Sequence, residues 1–249
     1  MISTIEHNGK LFRVDFSSPL DISIPLKEEQ EPHVSAFHLP DIKYQAAESG
    51  TFVGSVQRGG SCNVNNIFFS PHGNGTHTEC IGHITKEKYS INDCLTEFFF
   101  IALLISISPE QRNGDRIISK EQLQKQIGNH RPDALLIRTL PNDESKKSRN
   151  YSGTNPPYLH HEAAAFVCEA GIKQLLIDLP SMDREDDGGK LLAHRAFWNY
   201  PAAPRVHSTI TELIYVPSIV ADGMYFLNLQ VASFDNDASP SRPVLFPLQ

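Results

Sequence analysis

Along most of this 249-residue chain the apolar positions fall in short unbroken blocks instead of at helical spacing. The stretches "FFFIALLISI" (98–107), "DALLIRTL" (133–140) and "IKQLLIDLPS" (172–181) are short and rich in Ile and Leu, which predicts buried strands. "CNVNNIFFS" (62–70) has strand composition and stops at Pro71, where the ladder loses a donor. "ITELIYVPSIV" (210–220) and "MYFLNLQVASF" (224–234) predict two further strands ahead of a proline-rich tail. The first forty residues read as a strand near Leu11–Phe16, a turn, and an exposed loop at "KEEQEPH" (27–33).

Helical signals are fewer. Ser119 and Gln122 form a capping box, Leu123 and Ile127 supply an apolar stripe, and Gly128 stops the turn. "HEAAAFVCEAG" (161–171) is an alanine-rich helix that closes at Gly171 and runs straight into the strand at 172. A helix feeding a strand marks an α/β arrangement, in which ligands gather at the carboxyl ends of strands. Asp178, Ser181 and Asp183 stand at such an end and are candidates to support a site. The polar run 141–157 predicts a long solvated loop, an insertion or a lid. The expected architecture is therefore α/β: a single domain over residues 1–249 with a mixed sheet core and flanking helices.

A hydrophobic content of 40% is enough for one sizeable core at this length. The net charge of -7, with no cluster of Lys and Arg, argues against a nucleic-acid partner. Cys62, Cys80, Cys94 and Cys168 form no C-x-x-C pair, which predicts reduced thiols. The N-terminus does not read as a signal peptide, and the longest apolar run is about half of what a membrane span needs. A cytoplasmic protein without membrane contact is expected.

The stretch "SPHGNGTHTECIGHI" (70–84) carries the chemistry. In an extended segment residues two apart share a face, so His77 and Glu79 can reach one ion. Gly73 and Gly75 permit left-handed backbone, by which the chain could double back and add His72. Two imidazoles and a carboxylate suit Zn, Mn or Fe(II) and leave positions open for water. Continued extension would carry His83 roughly 20 Å from His77. A turn at Gly82 would give His83 a supporting, proton-transfer or second-metal role. Cys80, beside Ile81, is expected to pack as a small side chain, and His130, His160 and His207 to lie on the surface. His161-Glu162 starts like H-E-x-x-H, but Ala165 stands where the second histidine would be, so Glu162 is left to the helix N-terminus. Trp198 could wall a pocket or pack in the core.

This stretch resembles the signature H-x-G-T-H-x-D-x-P-x-H of the kynurenine formamidase and cyclase family of metal-dependent hydrolases. "GTH" (75–77) matches directly, Glu79 stands where the family has Asp, and His83 falls on the last histidine. His72 lies one residue further from His77 than the signature has it, and Ile81 replaces the proline. "DISIPL", "IDLPSMD", His194 and "ELIYV" are similar to further family segments, so the likeness spans most of the chain. The resemblance implies a swivelling β/β/α fold and one or two divalent ions, Zn or Mn, with no organic cofactor. It implies His72, His77 and Glu79 as ligands of one ion, and His83, His194 and Glu212 as a second site or the acid-base machinery. It further implies a homodimer or homotetramer acting on a small-molecule substrate. The expected reaction is hydrolysis of an amide-type C–N bond, as in an aromatic formamide. A lactam or ester hydrolase of the isatin type, or a non-catalytic metal-binding member, are the alternatives.

Overall fold

The computed structural model describes residues 1–28 and 31–248, so positions 29 and 30 of the exposed loop expected at 27–33 lie outside the described residues. Nine strands form one mixed sheet: β1 (Leu20–Asp21), β2 (His77–Glu79), β3 (Phe99–Ile107), β4 (Ala134–Thr139), β5 (Gln174–Ile177), β6 (Thr209–Glu212), β7 (Gly223–Asn228), β8 (Ala238–Pro240) and β9 (Val244–Pro247). Their order is β8-β2-β6-β5-β4-β3-β7-β9-β1. The central β3, β4, β5 and β6 run parallel, while β2 lies antiparallel to both β6 and β8.

The parallel strands β3, β4 and β5 are largely apolar because both faces are covered. On one face Leu103, Ile105, Leu135, Ile137, Leu175 and Ile177 pack against three helices, α1 (Lys120–Ile127), α2 (His161–Glu169) and α3 (Leu192–Phe197). On the other face Ala102, Leu104, Leu136 and Leu176 meet Cys80, Ile91, Leu227 and Leu245. Helix α1 starts at the expected capping box, where the Ser119 N–H donates to Gln122 Oε1 at 3.1 Å. Among the described residues no helix is long and apolar enough to cross a membrane.

Several local expectations change. The strand expected at 62–70 is Asn65–Phe68, which pairs with Lys43–Ala46 in a separate, largely exposed ribbon. The proline-rich tail is not a tail: it supplies β8 and β9. The strand expected at 210–220 ends at Glu212, where Leu213 turns into left-handed backbone at φ +54°. The polar run 141–157 is largely exposed, as expected of a solvated loop, but it is anchored at single buried residues. It contains a 3-10 turn, Glu144–Ser148, whose Lys146 is buried and donates to the buried carboxylate of Asp178 at 2.8 Å, and its Tyr151 is buried as well.

Candidate metal centre

Strand register builds the first half of the site. His77 pairs with Glu212 across β2 and β6, and Glu79 with Ile210, so His77, Glu79 and Glu212 project to the same face. Thr78 and Thr211 point to the other face and share a hydroxyl hydrogen bond of 2.8 Å. All three ionisable side chains are buried.

The approach to β2 differs from the glycine reading. Pro71–Asn74 forms one helical turn. Neither Gly73 nor Gly75 is left-handed; both sit where the chain passes close to its neighbours, a Cβ meeting the backbone oxygen of Ala36 at 3.0 Å from Gly73 and that of Ile24 at 3.1 Å from Gly75. A Cβ on Gly73 would sit 2.7 Å from Leu39 Cδ1, and one on Gly75 2.8 Å from Leu26 Cδ1. Thr76 then locks the segment, its hydroxyl accepting the Ile24 N–H at 2.7 Å and donating to Leu213 O.

That turn carries His72 back, so that its Nδ1 lies 3.1 Å from Glu79 Oε2. A second turn, Ile81–Ile84, brings His83 Nδ1 to 3.8 Å from the same oxygen, far closer than the extended chain would allow. Gly82 fits this turn by close approach, since a Cβ there would sit 2.4 Å from Tyr89 O. Helix α3, which the apolar pattern did not reveal, delivers His194 Nε2 to 3.1 Å from Glu79 Oε1. Glu212 Oε2 lies 3.4 Å from His77 Nε2, and its Oε1 accepts the Met182 N–H at 2.9 Å. The six residues implicated by the sequence, His72, His77, Glu79, His83, His194 and Glu212, thus meet around the Glu79 carboxylate.

Among the described residues, three groupings hold donor atoms close enough to share an ion: His72, His77 and Glu79; Glu79, His83 and His194; and His72, His83 and Asp237. The donor set fits a divalent cation on a second count. His77 Nε2 is buried without a hydrogen-bond partner, and the equally buried Glu79 Oε2 has only the imidazoles of His72 and His83 against it, a costly arrangement that a cation relieves. His77 Nδ1–H is occupied by Gly75 O at 3.1 Å, so the free lone pair is on Nε2, facing the carboxylates.

The charges are strongly coupled. Burial opposes ionisation of Glu79, yet the His83 charge and the contacts with His194 and His72 hold its carboxyl well below the ordinary range. Burial likewise opposes charge on His72, but Asp237 and Glu79 raise it to about 10. For His194 burial is outweighed by Asp183 and Glu79, again to about 10. The contacts thus favour the charged forms of Glu79, His72 and His194, and a cation bound there would displace the protons of the two imidazoles.

Two carboxylates support the array. Asp183, a candidate from the sequence, accepts His194 Nδ1–H at 2.6 Å and the backbone N–H groups of Ala193 and His194. Asp237, which sequence reasoning missed, lies 3.0 Å from His72 Nε2 and 3.4 Å from His83 Nδ1. Asp178 is not part of the site: it is tied up by Thr139 and Lys146. Trp198 is fully buried and donates its indole N–H to Ser208 O, so it packs the core and walls no pocket. A cleft of about 430 Å³ opens onto the cluster, with Phe37, Leu39 and Leu191 as apolar walls and His72, His83 and His194 at its floor.

Residues 20–184 match the family profile described as "Putative cyclase". Kynurenine formamidase from Bacillus thuringiensis (strain Al Hakam) is 30% identical over 196 residues, spanning 78% of this chain and 85% of the relative. The kynurenine formamidase of Bacillus mycoides (strain KBAB4) is 27% identical over 195 residues, with the same coverage. Among solved structures, isatin hydrolase A from Labrenzia aggregata superposes with a TM-score of 0.66 at 16% identity, covering 92% of this chain and 93% of the other. A protein described as a potential metal-dependent hydrolase with cyclase activity gives a TM-score of 0.65 at 16% identity, covering 92% and 97%.

Proposed function

Because this chain belongs to the cyclase family, we propose that it is a metal-dependent hydrolase that cleaves an amide-type C–N bond of a small substrate, an aromatic formamide being the first candidate. The observation that carries this reading is the convergence of four imidazoles, His72, His77, His83 and His194, on the buried Glu79 carboxylate, with Glu212 beside His77 and with His77 Nε2 buried and without a hydrogen-bond partner. His72, His77 and Glu79 would hold one ion, and His83, His194 and Glu212 would hold a second or move protons. Nitrogen and oxygen donors of this kind suit zinc or manganese. When bound, such an ion acidifies water and polarises a carbonyl.

The chain's own groups supply the rest. His194 is pinned by Asp183, so its Nε2 is presented to the centre without rotamer freedom. His83 is part-exposed and lines the cleft, which places its ring to pass a proton to a leaving amine. Phe37, Leu39 and Leu191 offer apolar surface to an aromatic ring, and a cleft of about 430 Å³ holds a molecule of that size. The relatives named kynurenine formamidase favour the formamide over a lactam.

The test is turnover of N-formyl aromatic amines, lactams and aryl esters by purified protein, before and after chelation. Formamide hydrolysis that chelator abolishes and added metal restores is the expected result. Bound metal with no turnover of any of the three classes would leave a metal-binding protein without this activity.

A further inference from the structure

We propose that Asp237 is a positioning residue that fixes the His72 imidazole with its proton on Nε2, so that Nδ1 offers its lone pair to a cation beside Glu79. The inference rests on the metal-centre reading above and concerns how this chain makes His72 a ligand at all.

His72 is the weak member of its grouping. It sits in the turn ahead of β2, its side chain is 22% exposed whereas that of His77 is fully buried, and its spacing from His77 is one residue longer than the family signature has it. Packing alone therefore restrains it least. Both of its ring nitrogens nevertheless have a carboxylate in reach, Nδ1 at 3.1 Å from Glu79 Oε2 and Nε2 at 3.0 Å from Asp237 Oδ2. An ionised carboxylate only accepts, so the N–H that remains when a cation takes Nδ1 points at Asp237.

The same logic recurs at two further imidazoles around Glu79. His194 gives its Nδ1–H to Asp183 and keeps Nε2 for the centre. His77 gives its Nδ1–H to Gly75 O and keeps Nε2. His72, His77 and His194 are thus each tied at the nitrogen that faces away, a device that orients metal-bound imidazoles in general. For His72 the tie comes from 165 positions further along the chain.

Asp237 is itself rigidly held. Its neighbour Ala238 pairs with Glu79 across β2 and β8, its carbonyl accepts the Cys80 N–H at 2.9 Å, and the carbonyl of Asn236 accepts the Ile91 N–H at 2.8 Å. The ladder that places Glu79 therefore also places Asp237, and the two carboxylates fix the ring of His72 from opposite sides.

The test is a double-mutant cycle read as cation affinity, by competition of a chelator for cobalt(II) and zinc, and as the visible absorption of the cobalt(II) protein. Asp237→Ala should weaken binding by about 10–100-fold and alter the cobalt(II) spectrum. In a His72→Ala background the same substitution should cause no further loss. Unchanged affinity in Asp237→Ala, or an undiminished loss in the His72→Ala background, overturns the assignment; a loss that vanishes only in a His83→Ala background moves the role to His83 and overturns it too. Should circular dichroism show Asp237→Ala unfolded, Asp237→Asn carries the same cycle, with a smaller loss expected because one acceptor oxygen remains, and unchanged affinity again counting against the proposal. A wild-type protein that takes up no cation refutes the metal centre itself, whereas tight wild-type binding with an indifferent Asp237 refutes this inference alone.

Discussion

Replacing Asp183 by Asn removes one charge and almost no volume, and the geometry fixes what that costs. The carboxylate serves three donors with two oxygens: Oδ1 accepts the Ala193 N–H at 2.8 Å, and Oδ2 accepts the His194 N–H at 3.0 Å and His194 Nδ1–H at 2.6 Å. An amide has one acceptor oxygen. Its better orientation keeps the two bonds to His194 and turns the NH2 group toward the Ala193 N–H, which leaves that buried donor unpaired at a cost of about 1–3 kcal/mol. Losing the charge opposite the His194 imidazolium adds about 1 kcal/mol, the difference between a charge-assisted and a neutral bond. The sign of the pH dependence follows from His194, whose charge is opposed by burial but favoured by Asp183 and Glu79, which raise it to about 10. A raised histidine stabilises the folded state fully below its unfolded value near 6.5 and loses that contribution as pH climbs through about 10. Urea unfolding of chelator-treated protein should therefore show Asp183→Asn destabilised by about 2–4 kcal/mol at pH 6 and by about 1 kcal/mol less at pH 10. A deficit that is absent, or that grows with pH, would refute the account of Asp183.

Cation binding should release protons, because burial notwithstanding, Asp237 and Glu79 raise His72 to about 10 and Asp183 and Glu79 raise His194 likewise. Calorimetry in buffers of different ionisation enthalpy should find proton release at pH 7 and an affinity that rises between pH 6 and 9, and a flat profile would contradict it. Lys146→Met leaves the Asp178 carboxylate buried without its ammonium partner; burial already pushes that carboxyl upward against the opposing pull of Lys146. Thermal or urea unfolding should show a loss of about 3–5 kcal/mol, and a variant as stable as wild type would mean that the pair is no anchor for the 144–148 turn.

How much of this was legible in the sequence follows from the range of each interaction. His77 and Glu79 were readable because a strand's two-residue period is local, and Ser119 with Gln122 because a capping box spans a single turn. Helix α3 was not, since Leu191 enters it at φ +48° and Asp183 caps it from upstream, so no local cap or stripe announces it. Gly73 and Gly75 were identified as important for the wrong reason. Their close approach is to Ala36 and Ile24, which tertiary folding brings near. Lys146 sits in a run polar enough to read as solvated, and only its pairing with distant Asp178 buries it. Asp237 was invisible for the same reason: it belongs to the stretch taken for a tail, and its partners His72 and His83 lie across the sheet edge.

If His77 and Glu79 close on a divalent cation, the protein carries that cation with it. Elemental analysis of protein purified without added ions should find one or two zinc or manganese ions per chain, and His77→Ala, folded by circular dichroism, should lose at least one of them. Wild-type protein that is free of metal after reconstitution, or a folded His77→Ala that retains the full complement, would contradict the account.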